Sequence, residues 1–171
     1  MQSVQTKGEA LREVMRQVPS PVTVVTMRTP EGLRGVTIGS FTSVSLEPPL
    51  ISFNVQRASQ AHLALQTAEA FAVHVLSEAQ VDLSNHFARP DRTGEEQFAS
   101  IEYRVDTHGL PILPGAVAVL RCRPYAFYEA GDHDLVLGEV LEATLEAPAA
   151  ALLYHNRAYR TVGAEVTANR F

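Results

Sequence analysis

The first forty residues alternate apolar and polar positions with two different periods. Between residues 9 and 18 the apolar positions recur every three or four residues, which predicts an amphipathic helix. These positions are Leu11, Val14, Met15 and Val18. Pro19 ends the helix, and residues 21–29 and 33–39 then alternate as strands do, separated by the turn sequence TPEG. The pattern predicts a helix followed by a β-hairpin.

The middle of the chain is a series of short elements. Its predicted strands are 50–55 and 70–77, and its predicted helices are 57–67 and 78–88. Ser59 is a good N-cap for the first helix. In the second helix Val81 and either Asn85 or Phe87 face inward. Residues 89–98 are polar throughout and predict an exposed loop.

The last third of the chain reads almost entirely as strand. Residues 116–129 and 134–146 form a hairpin, and residues 151–163 are a final strand-like segment. Pro124 cannot donate a ladder hydrogen bond, so the strand that holds it is an edge strand or is bulged there. Five or six strands with two or three short helices predict a mostly β protein, an antiparallel barrel closed or nearly closed, with helices at its ends.

The composition narrows the class of protein. The chain has 171 residues, of which 46% are hydrophobic, and it shows no repeat or linker, so we expect a single domain over residues 1–171. Its net charge is −5 and its basic residues are scattered, which argues against nucleic acid as a partner. One cysteine, Cys122, allows no internal disulfide and suits the cytoplasm. The N-terminus has no apolar core of signal-peptide length, and no later apolar segment is long enough for a membrane helix.

The segment RGVTIGSFTSVSLEPPL, residues 34–50, concentrates hydroxyl groups between two apolar runs. If it is extended, one face is apolar, formed by Val36, Ile38, Val44 and Leu46. The other face is polar, formed by Thr37, Gly39, Ser43 and Ser45, with the missing side chain of Gly39 allowing close approach to the backbone. The polar face is either an edge strand that bonds to water or a surface that holds a flat polar ligand.

Two further segments carry candidate chemistry. Arg57-Ala58-Ser59-Gln60 lies at a predicted helix start, where free amides, a cation and a hydroxyl favour a phosphate, unless Ser59 is only an N-cap. In the turn Gly131-Asp132-His133-Asp134, His133 is either a solvated turn residue or a group that reaches the polar edge of a cofactor.

The remaining chemistry-bearing residues predict no other site. No histidines form a close-spaced metal pair, so we expect no metal, and His74 and His108 are expected on the surface or as caps. The chain has no Gly-x-Ser-x-Gly elbow and no Gly-x-Gly-x-x-Gly after a strand, which argues against a hydrolase and a Rossmann site.

The order of these segments resembles the flavin reductase-like family, the small NAD(P)H:flavin oxidoreductases that supply reduced flavin to two-component monooxygenases. The resemblance runs from about Leu11 to Gly163. It rests on GVTIGSFTSVSLEPPLISF, RASQAH, AFAVHVLSEAQVDLSNHFA, the GDH at 131–133 and LLYHNRAYR. It implies a Greek-key split β-barrel, usually a homodimer, with FMN or FAD near the dimer interface and NADH or NADPH as reductant.

The resemblance also implies roles for single residues. Thr37, Ser40, Ser43, Val44 and Ser45 would line the isoalloxazine and ribityl chain of the flavin. Ser59 and His62 would lie near its phosphate and Phe87 beside the flavin. His133, the one candidate catalytic residue, would lie at the nicotinamide and orient it. Tyr154 and Arg160 would be further contacts. Gly39 is a further candidate contact, through its backbone. The chain departs from the family at two positions: relatives often have a small polar residue or Ala in place of Gly39, and Asn in place of His74.

Two other functions remain open at this point. One is a flavin-binding electron-transfer protein that keeps its flavin and serves a protein partner. The other is a split-barrel module that binds a different phosphorylated or tetrapyrrole ligand. The predicted chemistry, hydride transfer between two cofactors, needs few reactive side chains, because the reactivity belongs to the cofactors.

Overall fold

The computed structural model describes residues 6–166. Over these residues the helices are α1 (Lys7–Met15), α2 (Gln60–Thr67), α3 (Val81–Phe87) and α4 (Gly94–Phe98), with a 3₁₀ turn at Glu78–Gln80. The strands are β1 (Ser20–Pro21), β2 (Thr23–Thr29), β3 (Gly32–Ile38), β4 (Thr42–Leu46), β5 (Pro49–Gln56), β6 (Phe71–Val75), β7 (Arg104–Val105), β8 (Pro111–Ile112), β9 (Ala118–Ala130), β10 (His133–Leu145), β11 (Leu153–His155) and β12 (Ala158–Arg160). None of the described helices is long and apolar enough to cross a membrane.

The main sheet has seven antiparallel strands in the order β3-β2-β6-β9-β10-β5-β4. β3 and β4 lie at its opposite edges, yet only residues 39–41 join them. If the sheet were flat, six strand spacings would separate those edges by about 29 Å. The link from Ile38 to Thr42 reaches about 15 Å at most. The sheet therefore curls until β3 touches β5 without a ladder between them, which makes a barrel split at that seam.

Smaller sheets and two apolar clusters complete the fold. β1 pairs with the β11–β12 hairpin, and β7 pairs with β8. Inside the barrel the rings of Phe53 and Phe71 meet edge to face at 5.7 Å, and Gly138 leaves room for Phe71 where a Cβ would lie 2.5 Å from its ring. A second cluster, with Leu76 and Phe87, packs between the barrel wall and the helices. β2 contributes to both clusters, so its buried positions do not alternate.

The N-terminal helix begins and ends earlier than residues 9–18. Thr6 and Glu9 form a capping box that starts it, and Arg16 caps its C-terminal end. None of its side chains is buried, and Leu11 and Val14 are both more than 60% exposed. The amphipathic pattern is real, but its apolar face is largely exposed: Met15 and Val18, which line a cleft beside the β11–β12 hairpin, remain 52% and 47% exposed.

The polar segment at residues 89–98 is only partly the exposed loop that its composition predicts. Its second half is α4, which Thr93 and Glu96 start with a capping box, and Gln97 and Phe98 are buried. Gly94 fits against β3 because a Cβ there would lie 1.9 Å from the carbonyl oxygen of Leu33. The Thr-x-x-Glu sequence was the signal for this helix.

The prediction of one extended segment through residues 36–46 is wrong. β3 ends at Ile38, and after the link the chain resumes as β4 at the other sheet edge, with a bulge between Ser43 and Ser45. Ile38 is buried, but Val44 and Leu46 are 51% and 90% exposed. The four apolar residues therefore do not share one buried face.

Other sequence expectations agree with the structure. The strand with Pro124 is bulged there, as its register shifts opposite Leu137 and Gly138, and β6 pairs with it only as far as Cys122. Phe87 faces inward, whereas Asn85 is exposed. Most of the remaining predicted strands and helices are present with shifted ends, but the strand-like segment 151–163 is the β11–β12 hairpin, and β1, β7 and β8 were not predicted. The single domain predicted over residues 1–171 stays a prediction, and residues 1–5 and 167–171 lie outside the described part.

His74 is buried, contrary to the expectation of a surface histidine. Its Nδ1 donates to the carbonyl of Val24 at 3.1 Å, and its Nε2 accepts from the amide of Leu113 at 3.1 Å. Burial lowers the pKa of His74 to about 4, so the ring is neutral at pH 7. The ring joins the barrel wall to the chain that follows β8, a contact between distant segments that local sequence does not report. His108 is exposed in a turn, as expected.

A buried ion pair fixes the loop at residues 106–110 to the barrel. Asp106 accepts from Arg121 Nε at 2.7 Å and from the amides of His108 and Leu110, both at 2.9 Å. Burial by itself raises the pKa of Asp106, but the hydrogen bonds from Arg121 and the two amides outweigh it and hold the pKa below its ordinary value.

We predict that Asp106→Asn lowers the free energy of unfolding at pH 7 by roughly 1–3 kcal/mol, because Arg121 loses a buried charged partner. Since the folded pKa of Asp106 is lowered, its stabilisation is present above the unfolded pKa of about 3.9 and is lost as pH falls through the folded value. Urea unfolding from pH 3 to pH 7 measures this. Asp91→Asn, in an exposed ion pair, is the control. A difference between Asp106→Asn and wild type that stays constant to pH 3 would contradict the assignment.

Candidate functional site

A groove with a volume of about 960 Å³ lies at the seam of the split barrel. β3, the link after it and β5 form its floor, while the start of α2, the end of α3 and the tip of the β9–β10 hairpin form its rim. Six of the residues predicted to bind a cofactor line it: Thr37, Gly39, Ser40, Ser59, Phe87 and His133. The structure thus brings together side chains that are up to 96 positions apart in sequence.

The two hydroxyls at the seam offer different hydrogen-bonding groups. Ser40 Oγ accepts from the amide of Asn54 on β5 at 2.8 Å, so its proton remains available for a ligand acceptor. Thr37 Oγ1 donates to the carbonyl of Ser84 at 2.7 Å, so it offers only lone pairs. Gly39 lies between them, and a Cβ there would come 3.3 Å from Ser20 Oγ. The floor therefore presents a donor and an acceptor on either side of a bare stretch of backbone.

The start of α2 presents free amides rather than free side chains. Ser59 caps the helix, since its Oγ donates to the carbonyl of Gln56 at 2.7 Å and accepts from the amide of His62 at 3.2 Å. Helix geometry leaves the amides of Gln60 and Ala61 without intrahelical partners, and both residues line the groove. Backbone amides at a helix start are suited to hold an anion.

Arg57 does not add a free charge to this helix start. Its guanidinium pairs with Glu129 and lies 3.3 Å from Asp134 Oδ1. His62 is buried, and its Nε2 lies 2.7 Å from Asp134 Oδ2, so its ring does not line the groove. These contacts tie α2 to the β9–β10 hairpin, and the expected cation at the phosphate position is already compensated by carboxylates.

Phe87 is a wall of the groove and also part of the core. It is 2% exposed, and its ring leaves no space for a side chain at Gly35, where a Cβ would lie 2.3 Å from the ring. Gln97 accepts from the amide of Gly35 and donates to its carbonyl, both at 3.0 Å, so it replaces the strand that β3 lacks on this side. Sequence reasoning missed Gln97, because it lay in a segment read as an exposed loop. It also missed Asn54, which nothing in its strand distinguished.

His133 is the residue at the hairpin tip that faces the groove. Its Nδ1 lies 2.7 Å from Asp132 Oδ1, and the hydrogen bond from His133 lowers the pKa of the Asp132 carboxyl. Both side chains are exposed, so this pair orients the imidazole more than it stabilises the fold. Among the described residues, Nε2 of His133 has no hydrogen-bond partner, so this nitrogen is available to a ligand.

The other predicted site residues lie outside the groove. Ser43, Val44 and Ser45 are on the edge strand β4, and Arg160 is at the end of β12. Tyr154 lines a smaller cavity of about 480 Å³ that shares Thr37, Ile38, Gly39 and Ala88 with the groove. We call this smaller cavity the annex.

Neither a metal site nor a cysteine nucleophile is formed in the described residues. Among residues 6–166 no three His, Cys, Asp or Glu side chains are placed to hold a metal ion. Burial raises the pKa of the Cys122 thiol to about 12, so the thiol is protonated and unreactive at neutral pH.

The fold and groove define a class of protein, a split-barrel protein with a small-molecule groove at the barrel seam. The groove has the volume of a small-molecule site, its floor offers a donor and an acceptor, and its rim has free amides for an anion. The family model of the flavin reductase like domain matches residues 15–163, and the chain belongs to this family. The predicted resemblance and the predicted split barrel are both confirmed.

Similar proteins are known over most of this length. The chain is 40% identical over 149 residues to the flavin reductase of Pseudomonas putida, covering 86% of each chain. It is 42% identical over 153 residues to the reductase component of 4-hydroxyphenylacetate 3-monooxygenase of Thermus thermophilus, covering 89% of this chain and 95% of the relative. A solved structure of the NADH:FAD oxidoreductase SgcE6 of Streptomyces globisporus, in complex with NAD and FAD fragments, has a TM-score of 0.86 at 35% identity, covering 94% and 96%.

Proposed function

We propose that this chain is an NAD(P)H:flavin oxidoreductase that transfers a hydride from a nicotinamide cofactor to FMN or FAD. The observation that carries the proposal is the groove at the barrel seam, where the predicted contacts Thr37, Ser40 and His133 meet. Family membership supports the same activity, since the relatives are named as flavin reductases and reductase components.

The groove residues fit a flavin nucleotide. The isoalloxazine carries both hydrogen-bond acceptors and a donor, which match the free proton of Ser40 and the lone pairs of Thr37. Gly39 lets a flat ring approach the backbone, and Phe87 supplies an apolar wall. The amides of Gln60 and Ala61 would hold the phosphate, with Ser59 keeping the helix start in place.

The chain's own contribution to the reaction is orientation. The cofactors supply the chemistry: a hydride leaves the nicotinamide, and the flavin is reduced by taking up this hydride together with a proton from solvent. We infer that His133 binds the nicotinamide nucleotide at the rim, because Asp132 orients its ring and leaves Nε2 available. Holding two rings in register converts a bimolecular encounter into a reaction between neighbours.

A homodimer would account for the predicted contacts on β4, which lie outside the groove. β4 has a bare backbone edge, and Val44 and Leu46 expose apolar surface beside Ser43 and Ser45. Edge strands with exposed apolar side chains associate unless they are covered. We infer that a second copy covers β4 and thereby brings residues 43–45 to the flavin.

The reduced flavin would serve a partner oxygenase. One relative is named as the reductase component of a monooxygenase. Release of reduced flavin must keep pace with turnover, which is roughly 10 s⁻¹ for a median enzyme. At an association rate of roughly 10⁶ M⁻¹s⁻¹, a Kd of about 1 μM for flavin gives a release rate of only about 1 s⁻¹. Delivery of free flavin therefore requires weak binding. We infer that the protein acts in the cytoplasm, where NAD(P)H is regenerated. Cell fractionation tests this location.

We predict that catalytic amounts of the protein bleach the visible absorbance of FMN or FAD when NADH or NADPH is added without oxygen. The four pairs of flavin and reductant, each followed at 450 nm, test the activity and report both specificities. Bleaching limited to one protein equivalent of tightly held flavin would favour the electron-transfer protein instead. No bleaching with any pair would refute the reductase.

We predict that His133→Ala raises the KM for the nicotinamide nucleotide about tenfold, as expected for the loss of a hydrogen bond to a charged or polar group, and changes the Kd for flavin less than twofold. Steady-state kinetics and flavin fluorescence titration measure the two effects. His108→Ala, in an exposed turn away from the groove, is the matched control. A loss of flavin affinity with an unchanged KM would assign His133 to the other cofactor.

We predict that sedimentation equilibrium gives twice the chain mass of 18.7 kDa, and that Leu46→Glu shifts the protein to the monomer. Leu63→Glu, which places the same charge on the exposed face of α2, should leave the dimer intact. A monomeric wild type, or a Leu46→Glu protein as dimeric as the control, would contradict an interface at β4.

A further inference from the structure

An ionic cluster joins the start of α2 to the β9–β10 hairpin. Arg57, which precedes α2, pairs with Glu129 near the end of β9 and lies 3.3 Å from Asp134 Oδ1 on β10. Asp134 Oδ2 lies 2.7 Å from His62 Nε2 on α2. Asp134 therefore faces both side chains of the helix start that can carry a positive charge. We call Arg57, His62, Glu129 and Asp134 the rim cluster.

The rim cluster lies directly behind the lining of the groove. None of its four residues is in that lining, but their neighbours along the chain are: Gln56, Ala58, Ala61, Ala130 and His133. Because consecutive Cα atoms are about 3.8 Å apart, the cluster backbone lies within the screening length of about 8 Å that holds at physiological salt. A long side chain anchored in the cluster can therefore reach an anion in the groove.

The contacts within the rim cluster direct Arg57 toward the hairpin. Its side chain is 43% exposed, so it has room to move if these contacts are removed. Asp134 is buried, and its Oδ1 has no hydrogen-bond partner among the described residues, so the guanidinium compensates this oxygen. The cluster holds two carboxylates and one guanidinium, and it has no net positive charge whether His62 is neutral or protonated.

Two other arginines attract anions to the groove independently of the rim cluster. Arg34 on β3 and Arg89 after α3 both line the groove. Arg34 donates to the carbonyl of Arg92 at 2.8 Å, and Arg89 forms an exposed ion pair with Asp91 at 3.8 Å. An anion in the groove therefore keeps some attraction to side chains, and a released Arg57 would add to it.

We propose that Glu129 and Asp134 hold Arg57 away from the flavin phosphate and thereby keep the affinity of the groove for flavin low. A guanidinium binds phosphate through two parallel donors, so a released Arg57 would slow the dissociation of flavin. At a constant association rate, about tenfold tighter binding means about tenfold slower release. This inference rests on the proposed function, because it takes the anion to be the phosphate of FMN or FAD and requires that reduced flavin leave.

The direct test is calorimetric titration with FMN and with riboflavin, which has the same ring and ribityl chain but no phosphate. We expect Glu129→Gln to tighten FMN about threefold, and Glu129→Gln with Asp134→Asn to tighten it about tenfold, through the charged hydrogen bonds of Arg57. Riboflavin affinity should change less than twofold. Damage to the fold would weaken both flavins, so a gain for FMN alone is not a structural effect.

Glu139→Gln is the matched control. It removes the same charge from a pair with Arg123 in the same hairpin, and neither residue lines the groove. FMN affinity should therefore stay within twofold of wild type. Unchanged or weaker FMN binding in both the Glu129→Gln protein and the double variant would overturn the proposal, and so would an equal gain for riboflavin.

Removal of Arg57 tests whether this arginine carries the gain. Glu129 is 68% exposed, so at about 0.15 M salt its own repulsion of a phosphate is largely screened. The gain from Glu129→Gln should therefore fall below twofold when Arg57→Gln is also present. An undiminished gain without Arg57 would mean that the carboxylate acts on the phosphate directly, which would overturn the role of Arg57.

Stopped-flow dilution of the FMN complex tests the link to release. In the double variant we expect dissociation of FMN about tenfold slower than in wild type, with the association rate within twofold. Tightening that appears only in the association rate would overturn this link. Because Asp134 is buried, thermal unfolding checks the fold of the double variant, and the exposed substitution Glu129→Gln keeps the test valid by itself.

The proposal and the proposed function fail separately, because titration with FMN needs no nicotinamide and no turnover. A protein whose FMN affinity rises in these variants but which reduces no flavin would keep the role of the rim cluster and lose the reductase activity. Conversely, catalytic bleaching of flavin with the same FMN affinity in every variant would keep the activity and refute the role of Glu129 and Asp134.

Discussion

The structure depends on one geometric constraint, the shortness of the link between β3 and β4. Residues 39–41 must connect strands that lie at opposite edges of a seven-stranded sheet, and they can do so only if the sheet curls into a barrel. The curled sheet brings β3 beside β5 but forms no ladder between them. The groove occupies this seam, so the cavity is a direct consequence of how the barrel closes.

An open seam leaves backbone groups without strand partners, and side chains supply the missing bonds. Ser40 accepts from the amide of Asn54 across the seam, and Gln97 bonds both backbone groups of Gly35. These polar groups are therefore part of the fold and also part of the cavity lining. Because a buried polar group without a partner costs roughly 1–3 kcal/mol, the buried bonds between Gln97 and Gly35 stabilise the seam, whereas the exposed bond between Ser40 and Asn54 leaves a polar group open to a ligand.

The distribution of charge separates the two cavities. At the groove the guanidinium of Arg57 is already paired with carboxylates, so the backbone amides are left to attract an anion there. Arg157 at the annex has no such partner among residues 6–166. An anion at the groove rim would thus meet backbone amides, whereas an anion in the annex would meet the guanidinium of Arg157.

The sequence by itself determined most of the strands and helices, but not α4 or the break at residues 39–41. It also determined the cap at Ser59, an edge or a bulge at Pro124 and, through family resemblance, the split barrel. These depend on neighbours close along the chain or on a motif read as a whole. The tertiary structure decided which residues face the cavities: it placed Thr37 and Ser40 inside, left residues 43–45 at an edge and buried His74. It also brought Gln97 to Gly35 across 62 positions. No local pattern reports such contacts, because they exist only once the sheet has curled and closed.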